Sequence, residues 1–287
     1  MTVGITPISW FTVYGTYAEG YRAPAITEVF VNGSHPQPAP FVLLQNLGLK
    51  PEVGKTKEVG VNIRQDGLFV QNDALRIKAN VFQNDVSDFI EFTFVSGTPP
   101  NNVGQGGVVC TGPDPFGCQQ YQNIPSARIR GAEFESTYDA GTWFLALAGS
   151  VQKGENLTAH QPLIKIYPAQ FATTIGARFW DRKITAAVRW LAVASKDASD
   201  IPPGSGLALP TDAFNVVNLY LDYRPNEDTI LSFGIDNLFN EFYTRYLDVR
   251  TLSVGPPPAL QVPTPAPGIT FKGSLKVRFG DEFFRRG

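Results

Sequence analysis

Segments that alternate apolar with polar residues recur along this chain, and the connections between them alternate long with short. In 229–237, Leu231, Phe233 and Ile235 share one face of an extended segment while Ser232, Gly234 and Asp236 share the other, because successive side chains of a strand point to opposite sides. The stretch 271–279 sets Phe271, Leu275, Val277 and Phe279 against Lys272, Ser274, Lys276 and Arg278. The same dyad sets Val59, Val61 and Ile63 against Glu58, Asn62 and Arg64, and Leu75, Ile77, Ala79 and Val81 against Arg76, Lys78 and Asn80. It returns in Val217, Leu219 and Leu221 against Asn218 and Asp222. Five further segments, 11–18, 124–138, 142–152, 171–180 and 184–194, are noisier but fit strands better than helices. Each of the ten is close to, or somewhat longer than, the roughly 9–11 residues a tilted strand needs to cross a bilayer.

A soluble β-sandwich would also alternate apolar and polar residues, so connection length has to separate the two folds. The long connections, 19–53, 96–120, 153–167, 198–212 and 239–268, are interleaved with short ones at 66–73, 139–141, 181–183 and 225–228. Transmembrane barrels have tight periplasmic turns and long extracellular loops, because all hairpins at one end face the same compartment. A sandwich has no such asymmetry. The expected fold is all-β, an antiparallel transmembrane β-barrel segment of about ten strands whose last strand descends to the periplasm. Strands that keep the curvature of a larger barrel leave the first and last too far apart to pair, so an open curved sheet is expected of the chain in isolation.

Composition removes competing classes. No window reaches the roughly 18 consecutive apolar residues of a transmembrane helix, and the stretch 143–149 is interrupted within a few positions. A formal net charge of -2, without a basic block, excludes the electrostatic footprint of a nucleic-acid binder. The 27 Gly and 23 Pro suit a fold with many turns. Residues 1–10 lack the basic and apolar regions of a signal peptide, which an outer-membrane protein needs, so the expectation is that the start of the protein lies upstream.

Val13-Tyr-Gly-Thr-Tyr-Ala-Glu-Gly-Tyr-Arg-Ala-Pro24, with Glu28 after it, resembles a late strand and loop start of TonB-dependent receptors. Asn46-Leu-Gly-Leu-Lys-Pro-Glu52 with Lys57-Glu-Val-Gly60, Arg130-Gly-Ala-Glu-Phe-Glu135 and Gly234-Ile-Asp-Asn-Leu-Phe-Asn240 are similar to later strands of that family. The resemblance runs through nearly the whole chain. It implies that 1–287 is the C-terminal portion of a 22-stranded barrel, with the N-terminal plug and earlier strands absent. It also implies energy coupling through the TonB complex by way of that plug, a setting in outer-membrane lipid, and no enzymatic activity.

Heme and heme-protein receptors of the family carry two boxes with a heme-ligating histidine between them. Tyr21-Arg22-Ala23-Pro24 and Asn46-Leu47-Gly48-Leu49 resemble those boxes, and His35 lies between; Leu47-Gly48 stands where Pro-Asn is expected. The resemblance implies heme as the transported ligand, with no intrinsic cofactor and His35 as an axial ligand. A neutral imidazole is a normal ligand of heme iron, and the Gly and Pro around His35 predict a loop; the plainer reading is a solvated loop histidine. His160 is the weaker candidate. A ferric siderophore remains the alternative ligand, recognised by Phe242, Tyr243, Arg245 and Tyr246, which could equally belong to an aromatic girdle. A small outer-membrane barrel hydrolase is a remote third reading, since two loop histidines outside any catalytic motif offer little acid–base chemistry. Cys110 and Cys118 flank a Gly- and Pro-rich segment on the exterior side, where an oxidising compartment favours a disulfide over two free thiols.

Overall fold

The computed structural model describes residues 1–34, 41–95, 103–110, 117–203, 208–252 and 260–278. In chain order its elements are β1 (Thr2–Ile8), β2 (Phe11–Arg22), α1 (Ile26–Phe30), β3 (Gly33–Ser34), β4 (Val42–Leu44), β5 (Glu52–Asp66), β6 (Ala74–Val95), β7 (Cys118–Asp139) and β8 (Trp143–Asn156). These are followed by β9 (Gln161–Pro162), β10 (Gln170–Phe179), β11 (Ile184–Val193), β12 (Phe214–Asn226), β13 (Thr229–Asp236), β14 (Thr244–Leu252), β15 (Leu260–Pro265) and β16 (Thr270–Val277).

The wall runs β1-β2-β5-β6-β7-β8-β10-β11-β12-β13-β16, each neighbour antiparallel to the next. All ten expected strands are present, and β1 adds an eleventh, joined to β2 by residues 9–10. The alternation of short and long connections therefore extends one step further toward the N-terminus. Among the described residues β1 pairs only with β2 and β16 only with β13, so the sheet is open, as the curvature argument requires. The end of the last expected strand, Phe279, lies outside the described residues.

Register turns the dyads into two continuous faces. Val61 pairs with Val13 and Ala79, and Val59 with Val81, which pairs with Ala132 and through it Val151. Val59, Val81 and Val151 are more than half exposed, which in water would be a liability and in lipid is the requirement. The opposite face carries Asn80 and Glu133 in one row with Tyr14, and Glu58 diagonal to Asn80, and they bond across strands: Tyr14 Oη donates to Glu58 Oε1 at 2.7 Å and Asn80 Nδ2 to the same oxygen at 3.1 Å. Tyr14 reaches Glu58 by lying flat over Gly60, where a Cβ would sit 2.5 Å from its hydroxyl and 2.8 Å from the Ala79 carbonyl. Only glycine leaves room for that crossing. Nearer the periplasm, Arg178 makes a two-pronged contact with Asp139 at 2.8 and 2.9 Å and lies over the Phe144 ring at 4.9 Å.

Several strands run well past the apolar belt. β6 and β7 each span 22 residues and pair almost to their ends, Val95 opposite Cys118. Their upper parts form a scaffold for the extracellular loops, and the buried apolar clusters of the molecule sit there: Leu44, Val95, Cys110 and Cys118; Ile124, Ala127, Leu163 and Ile166; and Ile164, Ile201, Ala208 and Tyr246.

Candidate functional site

The first box begins where β2 leaves the belt. Tyr21 and Arg22 are successive strand residues and point to opposite sides: Tyr21 is 80% exposed on the outer face, whereas Arg22 turns inward. The Arg22 guanidinium grips the Glu52 carboxylate with Nε at 2.7 Å and Nη2 at 2.9 Å, and Nη1 donates to Glu28 Oε2 at 2.8 Å. Such a planar fork holds two carboxylates in one plane, which a lysine could not do. Ala23 and Pro24 carry the extended chain to α1, where Glu28 folds back and accepts the Ala25 N–H at 2.8 Å. Burial works against the Glu28 charge, yet these bonds from Arg22 and Ala25 keep its carboxyl below the usual carboxylate range. Glu52 also accepts the Ile90 N–H at 2.7 Å, tying β2, α1, β5 and β6 through one ion cluster.

The second box is centred on Asn46, only 1% exposed. Its backbone N–H donates to Val29 O in α1 at 2.9 Å and its side-chain Nδ2 to Tyr121 O in β7 at 2.8 Å, while Oδ1 accepts the Gly48 N–H at 3.1 Å. Gln120 reinforces the join, accepting the Gln105 N–H at 2.8 Å and donating to the Gln45 and Gln105 carbonyls at 2.9 Å each. Asn123 and Lys50 close it with a reciprocal pair at 2.8 and 3.0 Å. Leu47 is 64% exposed and Leu49 half-buried. The structure therefore brings Arg22 and Asn46 to opposite ends of α1, where each ties it to the wall.

Between the boxes, β3 pairs with β4, and β4 runs parallel to the first residues of β7. His35 follows Ser34, the last residue of β3, and lies outside the described residues. Cys110 and Cys118 are disulfide-bonded, with Cα atoms 5.7 Å apart, and pack on Leu44 and Val95. The bridge thus fastens a neighbouring loop to the strand that supports β4.

His160 is not near these staples: its side chain is 81% exposed with Glu155 Oε1 3.7 Å from Nδ1. The aromatic group near 242–246 divides. Phe242 is 80% exposed, Tyr243 stacks on Phe214 with ring centres 4.3 Å apart, and Tyr246 is buried at 3% exposure with its hydroxyl donating to Ile164 O at 2.7 Å. Burial, together with the negative charge of Glu91, pushes the Tyr246 hydroxyl up to about 12. Tyr246 is therefore neither girdle nor exposed ligand contact but part of a loop core, with Lys196 Nζ 5.1 Å from its ring centre. Burial lowers the Lys196 pKa. Glu91, also buried, offers both carboxylate oxygens to this region without a well-formed hydrogen bond. Glu91, Lys196 and the amide staples Gln105 and Gln120 escaped sequence reading; the only signal was the amide-rich run 119–123. Among the described residues no group of three or more His, Cys, Asp or Glu is placed to hold a metal ion.

Residues 3–238 match the family described as TonB dependent receptor-like, beta-barrel. The hemin receptor of Yersinia enterocolitica is 27% identical over 232 residues, 78% of this chain and 32% of that protein. Heme/hemopexin utilization protein C of Haemophilus influenzae is 26% identical over 250 residues, 82% of this chain and 33% of that protein. The chain thus spans about a third of the length of these curated relatives. Among solved structures, the copper transporter OprC superposes with a TM-score of 0.73 at 21% identity, covering 97% of this chain and 39% of that one. The Serratia marcescens hemophore receptor HasR, in complex with its hemophore HasA and heme, does so with 0.67 at 24%, with the same coverage. At these identities the likeness shows the fold. The chain belongs to the TonB-dependent receptor β-barrel family of the bacterial outer membrane.

Proposed function

We propose that this chain is the C-terminal barrel portion of an outer-membrane receptor that takes up heme, free or from a heme protein, energised through TonB by a plug held elsewhere in the receptor. The observation that carries this reading is the likeness of 78–82% of the chain to hemin and heme/hemopexin receptors. The mouth geometry supports it. Two box segments are pinned to the wall on either side of His35, which suits a loop that must offer an imidazole to an iron atom repeatedly without rebuilding itself. The receptor reading needs no catalysis, and the family is one of transport receptors.

Titration of the purified receptor with hemin tests the proposal: a red-shifted Soret band saturating at one heme per receptor is expected. An unshifted spectrum together with saturable binding of a ferric siderophore would replace heme by the alternative ligand.

A further inference from the structure

Glu91 is a buried acid high on the wall for which the receptor reading has no use. It lies in β6 opposite Gln122 of β7, is 4% exposed, and neither of its carboxylate oxygens has a hydrogen-bond partner. The Phe92 and Ile164 N–H groups lie close enough to favour its charge, but neither reaches hydrogen-bonding geometry. Lys165 favours the charge as well, yet its side chain is exposed and forms no ion pair with Glu91 among the described residues. Glu52 of β5 repels it. Tyr121 of β7 and Tyr246 of β14 also feel its charge, and burial together with that charge keeps both hydroxyls protonated. An ionised carboxylate buried without donors is among the costlier arrangements a fold can hold, whereas a neutral carboxyl is tolerated far better.

What buries Glu91 is a joint between connections. The segment 163–166, just after β9, sends Leu163 and Ile166 onto Ile124 and Ala127 of β7, and Ile164 onto Ile201, Ala208 and Tyr246. Gly154 of β8 lets the segment lie this close, since a Cβ there would stand 2.5 Å from Ile166 Cγ1. Tyr246 holds the far side, donating to Ile164 O at 2.7 Å, and the charges of the next connection, Lys196 and Asp200, act on Tyr246. Three connections thus meet beside one carboxyl. We infer that Glu91 is a proton-operated clasp: the three connections close over it when it carries a proton and loosen when it is ionised. Burial, helped by Glu52, pushes the carboxyl above its ordinary value of 4.5, and Lys165 with the two N–H groups offsets only part of this. The closed joint therefore keeps a proton that the opened joint has released. Its stability rises as pH falls from neutral and stops rising once the opened form is also protonated, near 4.5. The clasp operates whatever ligand the receptor carries.

Hydrogen exchange of the ligand-free receptor in detergent, expressed as protection relative to the intrinsic rate at each pH, tests the clasp. Protection of the 163–166 and Tyr246 amides should rise roughly threefold or more between about pH 7.5 and pH 5.5, while the periplasmic turn at Leu68 to Val70 stays level. Glu91→Gln, a neutral side chain of the same shape, should show the high protection at both pH values. Lys165→Met, a change at an exposed position that leaves the buried joint intact, should move the transition to higher pH, because the lost cation favoured the ionised form. Protection that does not change with pH in the parent would overturn the clasp, and a pH response that survives in Glu91→Gln, or that Lys165→Met leaves at the same pH, would overturn Glu91 as its proton site. Calcium that raises protection at about pH 7.5 as far as acid does would overturn the proton as the occupant.

Discussion

The two ends of this wall are closed by different means. At the periplasmic end the turn between β5 and β6 is completed by one local side chain: Asp73 accepts the N–H groups of Leu68, Phe69 and Val70 at 2.6, 2.8 and 3.1 Å, and the Tyr138 hydroxyl at 2.7 Å. At the extracellular end the connections are held by partners far away in sequence, Arg22 to Glu52 and Asn46 to Tyr121. A short turn places its orphan N–H groups within reach of a single carboxylate, whereas a long loop gains its order only from contacts that cross strands. The exterior is thus held by long-range staples, whereas the periplasmic turn between β5 and β6 is closed by its own carboxylate, which Tyr138 then ties to β7.

The largest effect that separates the two ends is expected from Asn46→Ala. It strips partners from the Tyr121 carbonyl and Gly48 N–H at a fully buried position, about 2–3 kcal/mol by the usual penalty for unsatisfied groups. Hydrogen exchange at Gly48 and Lys50 should quicken by roughly 30- to 150-fold, with Leu68 to Val70 unmoved. Equal acceleration at both ends would show that they are not independent. Arg22→Ala should act on the same loops more weakly, about 1–2 kcal/mol, since the guanidinium is 45% exposed and screened. Arg22→Lys should recover only part of this, because one ammonium cannot hold Glu28 and Glu52 together; full recovery would reduce the clamp to simple charge.

The smallest effect concerns the periplasmic turn and is seen only in acid. Burial alone would raise the Asp73 pKa, but its bonds from Phe69, Tyr138, Val70 and Leu68 bring it down from 3.8 to about 2. A carboxyl depressed in the fold stabilises above its unfolded value and loses that contribution as pH falls through the folded one. The melting temperature should therefore decline between about pH 4 and pH 2. Asp73→Asn should start lower at neutral pH and decline less steeply across that window. Fluorescence of Trp143, whose ring centre lies 5.2 Å from that of Tyr138, reports the turn directly; a variant that declines in parallel with the parent would contradict the assignment.

The membrane belt was legible because lipid on one side and a polar interior on the other enforce a period of two. Above the belt that enforcement ends. Lys57, Gln83 and Asp85 replace apolar residues on the outer face while the ladder continues, so β6 reads as a strand near 75–81 and in fact reaches Val95. β1 is less legible for another reason: Thr2, Gly4 and Thr6 alternate with Val3 and Ile5, but the segment is short and Pro7 blurs its end. The disulfide followed from compartment and spacing. The roles of the boxes did not, since nothing local marks Arg22 as the partner of Glu52 or Asn46 as that of Tyr121, 75 residues away. Asn237 and Asn240 belong to the same class: both take left-handed backbone, and their side chains tie the end of β13 to Glu241 and Ile269, which only the folded register reveals.

The proposal that staples hold the mouth while His35 meets the ligand is tested most directly by comparing hemin titrations of the receptor and its His35→Ala variant, each paired with a thermal melt. The expected result is a heme affinity at least tenfold weaker, with an altered Soret band and an unchanged melt. Unchanged affinity and an unchanged Soret band in His35→Ala would contradict it and leave His35 a solvated loop residue.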